Sequence, residues 1–333
     1  MSAGPPVVTL TAAGAVDATY RVGIVRPGSF TRAVSYAREM SGKGVNVSAA
    51  LALAGRTTAA VVVIGHDDLD FARRSDPAGL LRPVTVPGAT RVNTSIIDDA
   101  GVTTKVNAPT TALPASVWDD VVAATLGELD RHGAGWLVVS GTIPPLEGSV
   151  EPAPLSVLIA GARRRGVRVA VDTSGRALER IAGEPNGVAL VKPNAEELAE
   201  LVGRSLRTLG DVTEAARELT SRGIGAVYAS LGPDGVLLVT ADVILHAEAT
   251  AVRLANTAGA GDASLAGFLV GLGGGPLEDS SALAAAAATA ASWGAHAVAQ
   301  ASTILPSLID LPPAVVTVAP DPTIVLSEPA IVS

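Results

Sequence analysis

The sequence predicts an α/β protein with a mostly parallel sheet covered by helices on both faces. This is a three-layer α/β/α core, and a small second sheet stands beside it as a lid. Three observations carry the prediction. Short β-branched runs alternate with amphipathic stretches along most of the 333 residues, the rhythm of strand–helix–strand units. Those runs are apolar almost without interruption, as strands buried on both faces must be. Two segments break the rhythm by alternating polar with apolar residues, the mark of strands with one face exposed.

Val7 to Thr11 opens the pattern as a strand. Ala18 to Val25 alternates and is assigned to the lid. Val45 to Leu53 reads as a helix behind a Gly-rich turn, and Ala59 to Ile64 as a strand bounded by Gly65. Arg91 to Asp98 alternates, turns at Asp99-Ala100-Gly101 and returns as Val102 to Asn107, a hairpin signature. The lid therefore draws on residues of about 14–40 and 88–110. Trp118 to Arg131 reads as a helix, Trp136 to Ser140 as a strand, Leu155 to Arg165 as a helix and Val167 to Val171 as a strand. Asn194 to Val202 and Thr213 to Arg222 are helices, and Ala226 to Leu231 is a strand. Ser280 to Ile309 holds no Asp, Glu, Lys or Arg, which by length would suit a membrane span. Small and polar residues dominate it and Pro306 interrupts it, so a helix buried between a sheet and a ligand pocket is expected. One domain is expected over 1–317. Residues 318–333, with Pro320, Pro322 and Pro329 and no clear period, read as an extension outside the core.

Composition narrows the chemistry. The chain has no cysteine, so disulfides, thiolate metal sites and cysteine nucleophiles are excluded. His66, His132, His246 and His296 are scattered without metal-ligand spacing. A net charge of -8 disfavours a nucleic-acid surface. Arg163-Arg164-Arg165, the only basic cluster, falls late in a helix, where cations suit the macrodipole. Met1 to Pro6 carries no secretory pattern, and a cytoplasmic protein free of membrane segments is expected.

The most informative stretch is Asn256-Thr257-Ala258-Gly259-Ala260-Gly261-Asp262, followed by an apolar run from Ala263. It places a small-residue turn before a helix, with one carboxylate at the junction. The first turn of a helix has N–H groups without intrahelical partners and carries the positive end of the macrodipole, so it binds phosphate well. A carboxylate there would repel phosphate unless it takes a proton from a hydroxyl attacking that phosphate. The dipole would keep Asp262 ionised, and the free N–H groups would stabilise charge on the transferred group.

Three further motifs follow the same logic. Ser41-Gly42-Lys43-Gly44-Val45-Asn46 is a second Gly-rich turn opening a helix, without the leading Gly or the Lys-Ser/Thr pair of a Walker A loop. In Lys192-Pro193-Asn194-Ala195-Glu196-Glu197, Asn194 and Glu197 have the spacing of a capping box. The same pair could order waters around a magnesium ion, which takes few direct protein ligands. Ser230-Leu231-Gly232-Pro233-Asp234-Gly235 ends a strand, as a plain turn or as a nucleotide contact.

Taken in order, the four motifs resemble those of the PfkB, ribokinase-like, carbohydrate kinase family, over roughly Val7 to Thr317. Thr90-Arg91-Val92-Asn93, Thr104-Lys105-Val106-Asn107 and Val139-Ser140-Gly141-Thr142-Ile143-Pro144-Pro145 are similar to its 1-phosphofructokinase and tagatose-6-phosphate kinase branch. The resemblance implies a ribokinase-like fold and transfer of the ATP γ-phosphoryl to a sugar-phosphate hydroxyl, with Mg2+. It implies Asp262 as general base and the backbone of Ala258, Gly259, Ala260 and Gly261 as anion hole. Asp17, Gly42 and Asn46 would hold sugar hydroxyls. Lys43, Arg91, Lys105 and Ser140 are candidates for the sugar's own phosphate, Arg91 foremost because a guanidinium suits bidentate contacts. Lys192, Asn194, Glu197, Ser230, Gly232 and Gly235 would face nucleotide and metal, with Asn194 and Glu197 reaching the metal through water. An open lid sheet also suits a homodimer.

This chain departs from the branch on the sugar side. Ala13-Gly14-Ala15-Val16-Asp17 stands where the branch usually has Asn-Pro-Ala-x-Asp, so the loop presenting Asp17 is expected to be freer. Ser41 replaces a Gly, and the lid return reads Asn107-Ala108-Pro109-Thr110. The expected substrate is fructose 1-phosphate, with tagatose 6-phosphate or fructose 6-phosphate as alternatives. A catalytically impaired sugar-phosphate-binding protein is the alternative of another class.

Overall fold

The computed structural model describes residues 4–76, 78–251, 253–300 and 302–332. The chain opens with β1 (Val7–Thr11), β2 (Ala15–Val22), β3 (Ala33–Ser41), α1 (Lys43–Leu53), β4 (Thr58–Gly65), α2 (Leu69–Arg74) and β5 (Leu81–Val86). It continues through β6 (Val92–Ile97), β7 (Thr103–Asn107), α3 (Ala115–His132), β8 (Trp136–Ser140), α4 (Ser156–Arg164), β9 (Arg168–Asp172) and α5 (Gly175–Gly183). Next come β10 (Leu190–Val191), α6 (Ala195–Val202), β11 (Leu206–Thr208), α7 (Leu209–Ser221), β12 (Ala226–Ser230), β13 (Val236–Val239) and β14 (Ile244–Ala249). It closes with α8 (Ala260–Leu272), α9 (Ser280–Val298), β15 (Ala314–Val318) and β16 (Val325–Ala330).

A 10-stranded sheet runs in the order β15-β14-β13-β12-β10-β9-β8-β1-β4-β5. From β12 to β5 every pairing is parallel, while β13, β14 and β15 add an antiparallel edge. Alternate side chains of each strand feed two cores. Val8, Leu10, Leu137, Val139, Val169 and Val171 pack under α3 to α7. Val7, Trp136, Val138, Ala170 and Tyr228 pack under α1, α8 and α9. The expected α/β/α layering is thus observed, with Trp118, Trp136 and Trp293 in the core.

Helices α8 and α9 touch through small residues. A Cβ on Gly271 would lie 2.6 Å from the Ala285 carbonyl, and one on Gly267 2.8 Å from that of Thr289. The alanine run from Ala284 to Ala288 therefore serves close packing as well as helix propensity. The helix expected over Ser280 to Ile309 ends at Val298, and the chain from Ser302 to Pro313 is irregular. Among the described residues, no helix is long and apolar enough to cross a membrane.

The second sheet has the order β3-β2-β6-β7. Its β6–β7 hairpin is the one the alternation predicts, with Asn93 opposite Asn107 and Ile97 opposite Thr103. Strand β2 begins at Ala15, earlier than the Ala18 expected, and pairs parallel to β6. Strand β3 is absent from the sequence reading, because its two faces differ more in size than in polarity: Tyr36, Arg38 and Met40 against Ser35, Ala37 and Glu39. Opposed residues share a face, so Asp17, Asn93, Asn107 and Lys105 lie on one face of the lid. Tyr20, Tyr36, Ile96 and Val106 lie on the other. At its base Val16 and Met40 pack on Val45, Ala60, Val62 and Ile64 of the main body.

The stretch after Ala319, read as an aperiodic extension outside the core, supplies β16. This strand pairs antiparallel with β11. It buries Leu326 and Ala330 in the core under α3 to α7.

Candidate active site

The candidate residues converge beyond the carboxyl ends of β1, β8, β9, β10 and β12, where open α/β sheets place ligands. Two helix N-termini point there, those of α1 and α8. The turn into α1 presses on the end of β1. A Cβ on Gly42 would lie 2.4 Å from Thr11 Cγ2, and one on Gly44 2.7 Å from Thr11 Oγ1. Only glycine fits at either place, and Thr9 Oγ1 fixes the turn by donating to the Gly44 carbonyl at 2.8 Å. This presents Asn46, whose Nδ2 donates to Asp262 Oδ2 at 2.8 Å.

Asp262 is the third residue of α8 and is 5% exposed. The helix starts at Gly259 with φ 81°, and a Cβ there would lie 2.1 Å from the Thr303 carbonyl. Both conformation and space therefore demand glycine. Not every N–H expected for the anion hole is free. Ala258 N–H donates to Asn256 Oδ1 at 3.0 Å, and Ala260 N–H makes a long 3.4 Å bond to the Thr257 carbonyl. Those of Gly259, Gly261 and Asp262 find no acceptor among the described residues.

The centre of the site holds a carboxylate absent from the sequence reading, Asp172. The apolar run predicts a strand over Val167 to Val171, but β9 extends one residue further and carries Asp172 into the site. Its Oδ1 accepts from Lys43 Nζ at 3.3 Å and pairs with Lys192 Nζ at 3.4 Å. Its Oδ2 accepts from Ser140 Oγ at 3.1 Å. Ser140, expected near the sugar's phosphate, is thus engaged by Asp172. Lys192 Nζ also borders the α8 terminus, 3.2 Å from where a Cβ of Gly261 would stand.

These charges set one another's acidity. Burial and the Asp172 charge push the Asp262 carboxyl up to about 6, against the pull of Lys43, the Asn46 bond and Lys192. The helix terminus alone does not decide its ionisation, as the sequence suggested it would. Asp172 is held below the usual carboxylate range: burial opposes this, but Lys192, Lys43 and the Ser140 hydroxyl prevail. Asp172 in turn raises the Lys43 ammonium above its ordinary value.

On the lid, Asn93 Nδ2 donates to Asp17 Oδ1 at 3.2 Å. Lys105 is exposed on the edge strand β7, opposite Ser95. Arg91 is more engaged than its assignment to a phosphate implies. Its guanidinium donates to the carbonyls of Ala13 (3.1 Å), Gly14 (3.3 Å) and Ala108 (3.4 Å) and to Thr110 Oγ1 (3.1 Å). Burial pulls its pKa below the ordinary guanidinium value, with Asp17 opposing. The loop expected to be freer is therefore tied down. Gly14 N–H also donates to the Val63 carbonyl at 3.0 Å, and a Cβ on Gly14 would meet that oxygen at 2.5 Å.

On the other side, the capping box is present. Asn194 Oδ1 accepts from Glu197 N–H at 2.7 Å, and Asn194 N–H donates to Glu197 Oε2 at 2.9 Å. Ser230 bridges to Asn194 across the strand ends. Gly232 (φ 59°) and Gly235 (φ 79°) shape the turn after β12, and a Cβ on Gly235 would lie 2.3 Å from the Ala247 carbonyl. The tail pins this turn: Asp234 accepts from Ser327 N–H at 2.7 Å and from Ser327 Oγ at 2.6 Å. Nothing local in the sequence signals that link.

Among the described residues, four buried side-chain atoms lack a partner: Thr11 Oγ1, Asn46 Oδ1, Asn93 Oδ1 and Thr173 Oγ1. Buried polar atoms are rarely left unpaired. Here they sit on β1, on α1, on the lid and just past the end of β9. Among the described residues no cluster of three or more His, Cys, Asp or Glu could cage a metal. An ion carried in by nucleotide phosphates and held through water fits this donor set, since magnesium keeps several waters and uses one or two carboxylates.

The pattern of the "pfkB family carbohydrate kinase" matches residues 10–300. A 1-phosphofructokinase of Rhodobacter capsulatus is 38% identical over 268 residues, 79% of this chain and 82% of the relative. One from Haloferax volcanii is 37% identical over 273 residues, 81% of this chain and 83% of the relative. The solved structure of Escherichia coli phosphofructokinase-2 in complex with potassium superposes with a TM-score of 0.78 at 27% identity, covering 91% of this chain and 96% of that one. The chain, with its ribokinase-like core, lid and Gly259-Ala260-Gly261-Asp262 terminus, belongs to the pfkB family of carbohydrate kinases.

Proposed function

We propose that the protein transfers the γ-phosphoryl of ATP to fructose 1-phosphate, giving fructose 1,6-bisphosphate and ADP. The observation that carries the chemistry is Asp262 at the first turn of α8, bonded to Asn46 and flanked by two ammonium groups. The choice of fructose 1-phosphate is supported by relatives of that name at 37% and 38% identity.

Asp17, Asn93, Gly42 and Asn46 hold the sugar hydroxyls, and the unpaired oxygens of Asn46 and Asn93 supply acceptors for them. Lys105, from the same lid face, and Lys43 meet the sugar's phosphate, with the remaining N–H of Arg91. Lys192 and the Asn194, Glu197, Ser230, Gly232 and Gly235 region take the nucleotide. Magnesium, held through water by Asn194 and Glu197, would neutralise charge on the nucleotide phosphates. Asp262 accepts the proton of the attacking hydroxyl as its oxygen bonds to the γ-phosphorus and the bond to ADP breaks. A base titrating near 6 is largely ionised at neutral pH yet still basic enough to take that proton. The N–H groups of Gly259 and Gly261, with Lys192, stabilise the transferring phosphoryl, since this chemistry relies on positioning and electrostatics.

ADP release with ATP, magnesium and a panel of ketose phosphates, free ketoses and nucleosides tests the reading. Fructose 1-phosphate is expected to give the highest kcat/KM. A preference for fructose 6-phosphate or tagatose 6-phosphate would reassign the substrate within the family. No release with any of these acceptors would mark a binding protein. The apolar face of the lid, with Val34 80% and Tyr36 52% exposed, is proposed as the contact of a homodimer.

A further inference from the structure

The mechanism above gives no role to the most deeply buried charge of the site. Asp172 is 1% exposed. A second carboxylate beside the base, in a place built for phosphate, is unfavourable by itself. Anions repel there, and burying one is expensive unless it is paired. Its surroundings show what offsets that. The carboxylate is held rigidly: Ser140 Oγ donates to Oδ2 at 3.1 Å, Gly141 N–H donates to the Asp172 carbonyl at 2.8 Å, and Lys192 N–H donates to the adjacent Val171 carbonyl at 2.9 Å. The remaining oxygen, Oδ1, draws in two lysines from different elements, Lys43 from α1 at 3.3 Å and Lys192 from the end of β10 at 3.4 Å. Gly141, with φ 97°, lies beside the first, its Cβ position being at ordinary contact distance, 3.7 Å, from Lys43 Cβ.

We infer that Asp172 is a positioning residue: it fixes Lys43 on the sugar side and Lys192 beside the transferring phosphoryl, and keeps both from pairing with Asp262. The inference rests on the reading of Asp262 as the base. The charged groups acting on Asp262 are Asp172 from β9, Lys43 from α1 and Lys192 from the end of β10, while Glu197 from α6 acts on Lys43. Without Asp172 the two ammonium groups have one carboxylate left within reach, and it is the base. An Asp262 locked in ion pairs would be ionised but weakly basic, and the lysines would leave the sugar's phosphate and the transferring phosphoryl. The direction of the Asp262 shift, upward by burial and by Asp172, agrees with this geometry.

The test is the pH dependence of kcat and kcat/KM for the wild type, Asp172→Asn and Asp172→Glu, with Asp262→Asn as reference. Asp172→Asn is expected to move the acid limb of kcat/KM down by roughly one pH unit, because a like charge is lost and the lysines turn to Asp262. It is also expected to lower kcat at pH 8 by about tenfold or more. Asp172→Glu keeps the charge but displaces it by a methylene, so the acid limb stays and kcat falls several-fold. An unmoved limb in Asp172→Asn, or wild-type kcat in Asp172→Glu, overturns the inference. If Asp172→Asn does not fold, Asp172→Glu decides alone, and kcat within twofold of wild type overturns it. Loss of turnover in Asp262→Asn with an unmoved limb in Asp172→Asn sinks this role while leaving the base in place. Retained turnover in Asp262→Asn sinks both.

Discussion

Asp262 is kept at a disadvantage to the fold, and that disadvantage is measurable. Its carboxyl is raised in the folded state to about 6 from an ordinary 3.8. Between those values the folded protein binds a proton that the unfolded chain does not, so stability from this group is present at low pH and is lost as pH rises through 6. At pH 8 the ionised form opposes folding, by roughly 1–3 kcal/mol once the lysines' compensation is allowed for. Asp262→Asn is therefore expected to abolish turnover and raise the melting temperature at pH 8, with the gain shrinking by pH 5. A variant no more stable at pH 8 would contradict the shift. The same ionisation places the acid limb of wild-type kcat/KM near pH 6. Arg91 makes a different demand. Its donors link Ala13 and Gly14 to Ala108 and Thr110, so one planar group joins the loop before β2 to the return after β7. Arg91→Lys keeps the charge but cannot serve that many acceptors in one plane. KM for the sugar phosphate is expected to rise about tenfold or more in Arg91→Ala, with little rescue by lysine. An unchanged KM would remove Arg91 from the sugar side.

Helix α8 carries the chemistry only because its start is forced. Gly259→Ala must place a Cβ against the Thr303 carbonyl in a left-handed backbone, so the first turn shifts or the loop at Thr303 gives way. A loss of about 1–3 kcal/mol in stability is expected, with a larger fall in kcat than in nucleotide affinity. Denaturation and steady-state kinetics read both. That turn, the α1 turn and the Asn194–Glu197 box were legible in the sequence because their partners lie within a few residues. The buried parallel strands were legible because both faces are apolar. Asp172 was not, because its partner Lys43 is 129 positions away and the apolar run gives no sign that the strand continues onto a charge. Nor was the tail. Its proline-rich stretch hides a strand whose inward residues are only Leu326 and Ala330, and whose lock, Ser327 on Asp234, spans 93 positions. Truncation after Ala319 is expected to lower the melting temperature by several degrees, since it exposes the core side of β11. It is also expected to raise KM for ATP, since the turn from Ser230 to Gly235 loses its anchor. An unchanged KM for ATP in a folded truncation would limit the tail to a stabilising role.

The lid couples the catalytic site to the assembly of the protein. Its polar face carries Asp17, Asn93 and Lys105, while its other face carries Tyr20, Tyr36, Ile96 and Val106. Among the described residues, the base of that second face is covered by this chain, where Val16 and Met40 meet the main body. Further out, Val34, Tyr36 and Val106 are exposed, and Phe30 in the loop before β3 is 88% exposed. An open sheet with such a face either finds a partner or aggregates. A second copy of the chain offers a complementary surface, because an isologous contact brings the same patch from both subunits. The expectation is a dimer in solution by analytical ultracentrifugation. Tyr36→Asp, which puts a charge in the middle of that face, should yield monomers. Because β2 and β3 share their backbone hydrogen bonds, loosening the apolar face also loosens the strand presenting Asp17. The monomeric variant should therefore show a raised KM for the sugar phosphate and a nearly unchanged KM for ATP. Specific activity of the wild type should fall on dilution through the dissociation range. A wild type that sediments as a monomer at full specific activity would show that the lid works alone and that its apolar face meets something other than its own copy.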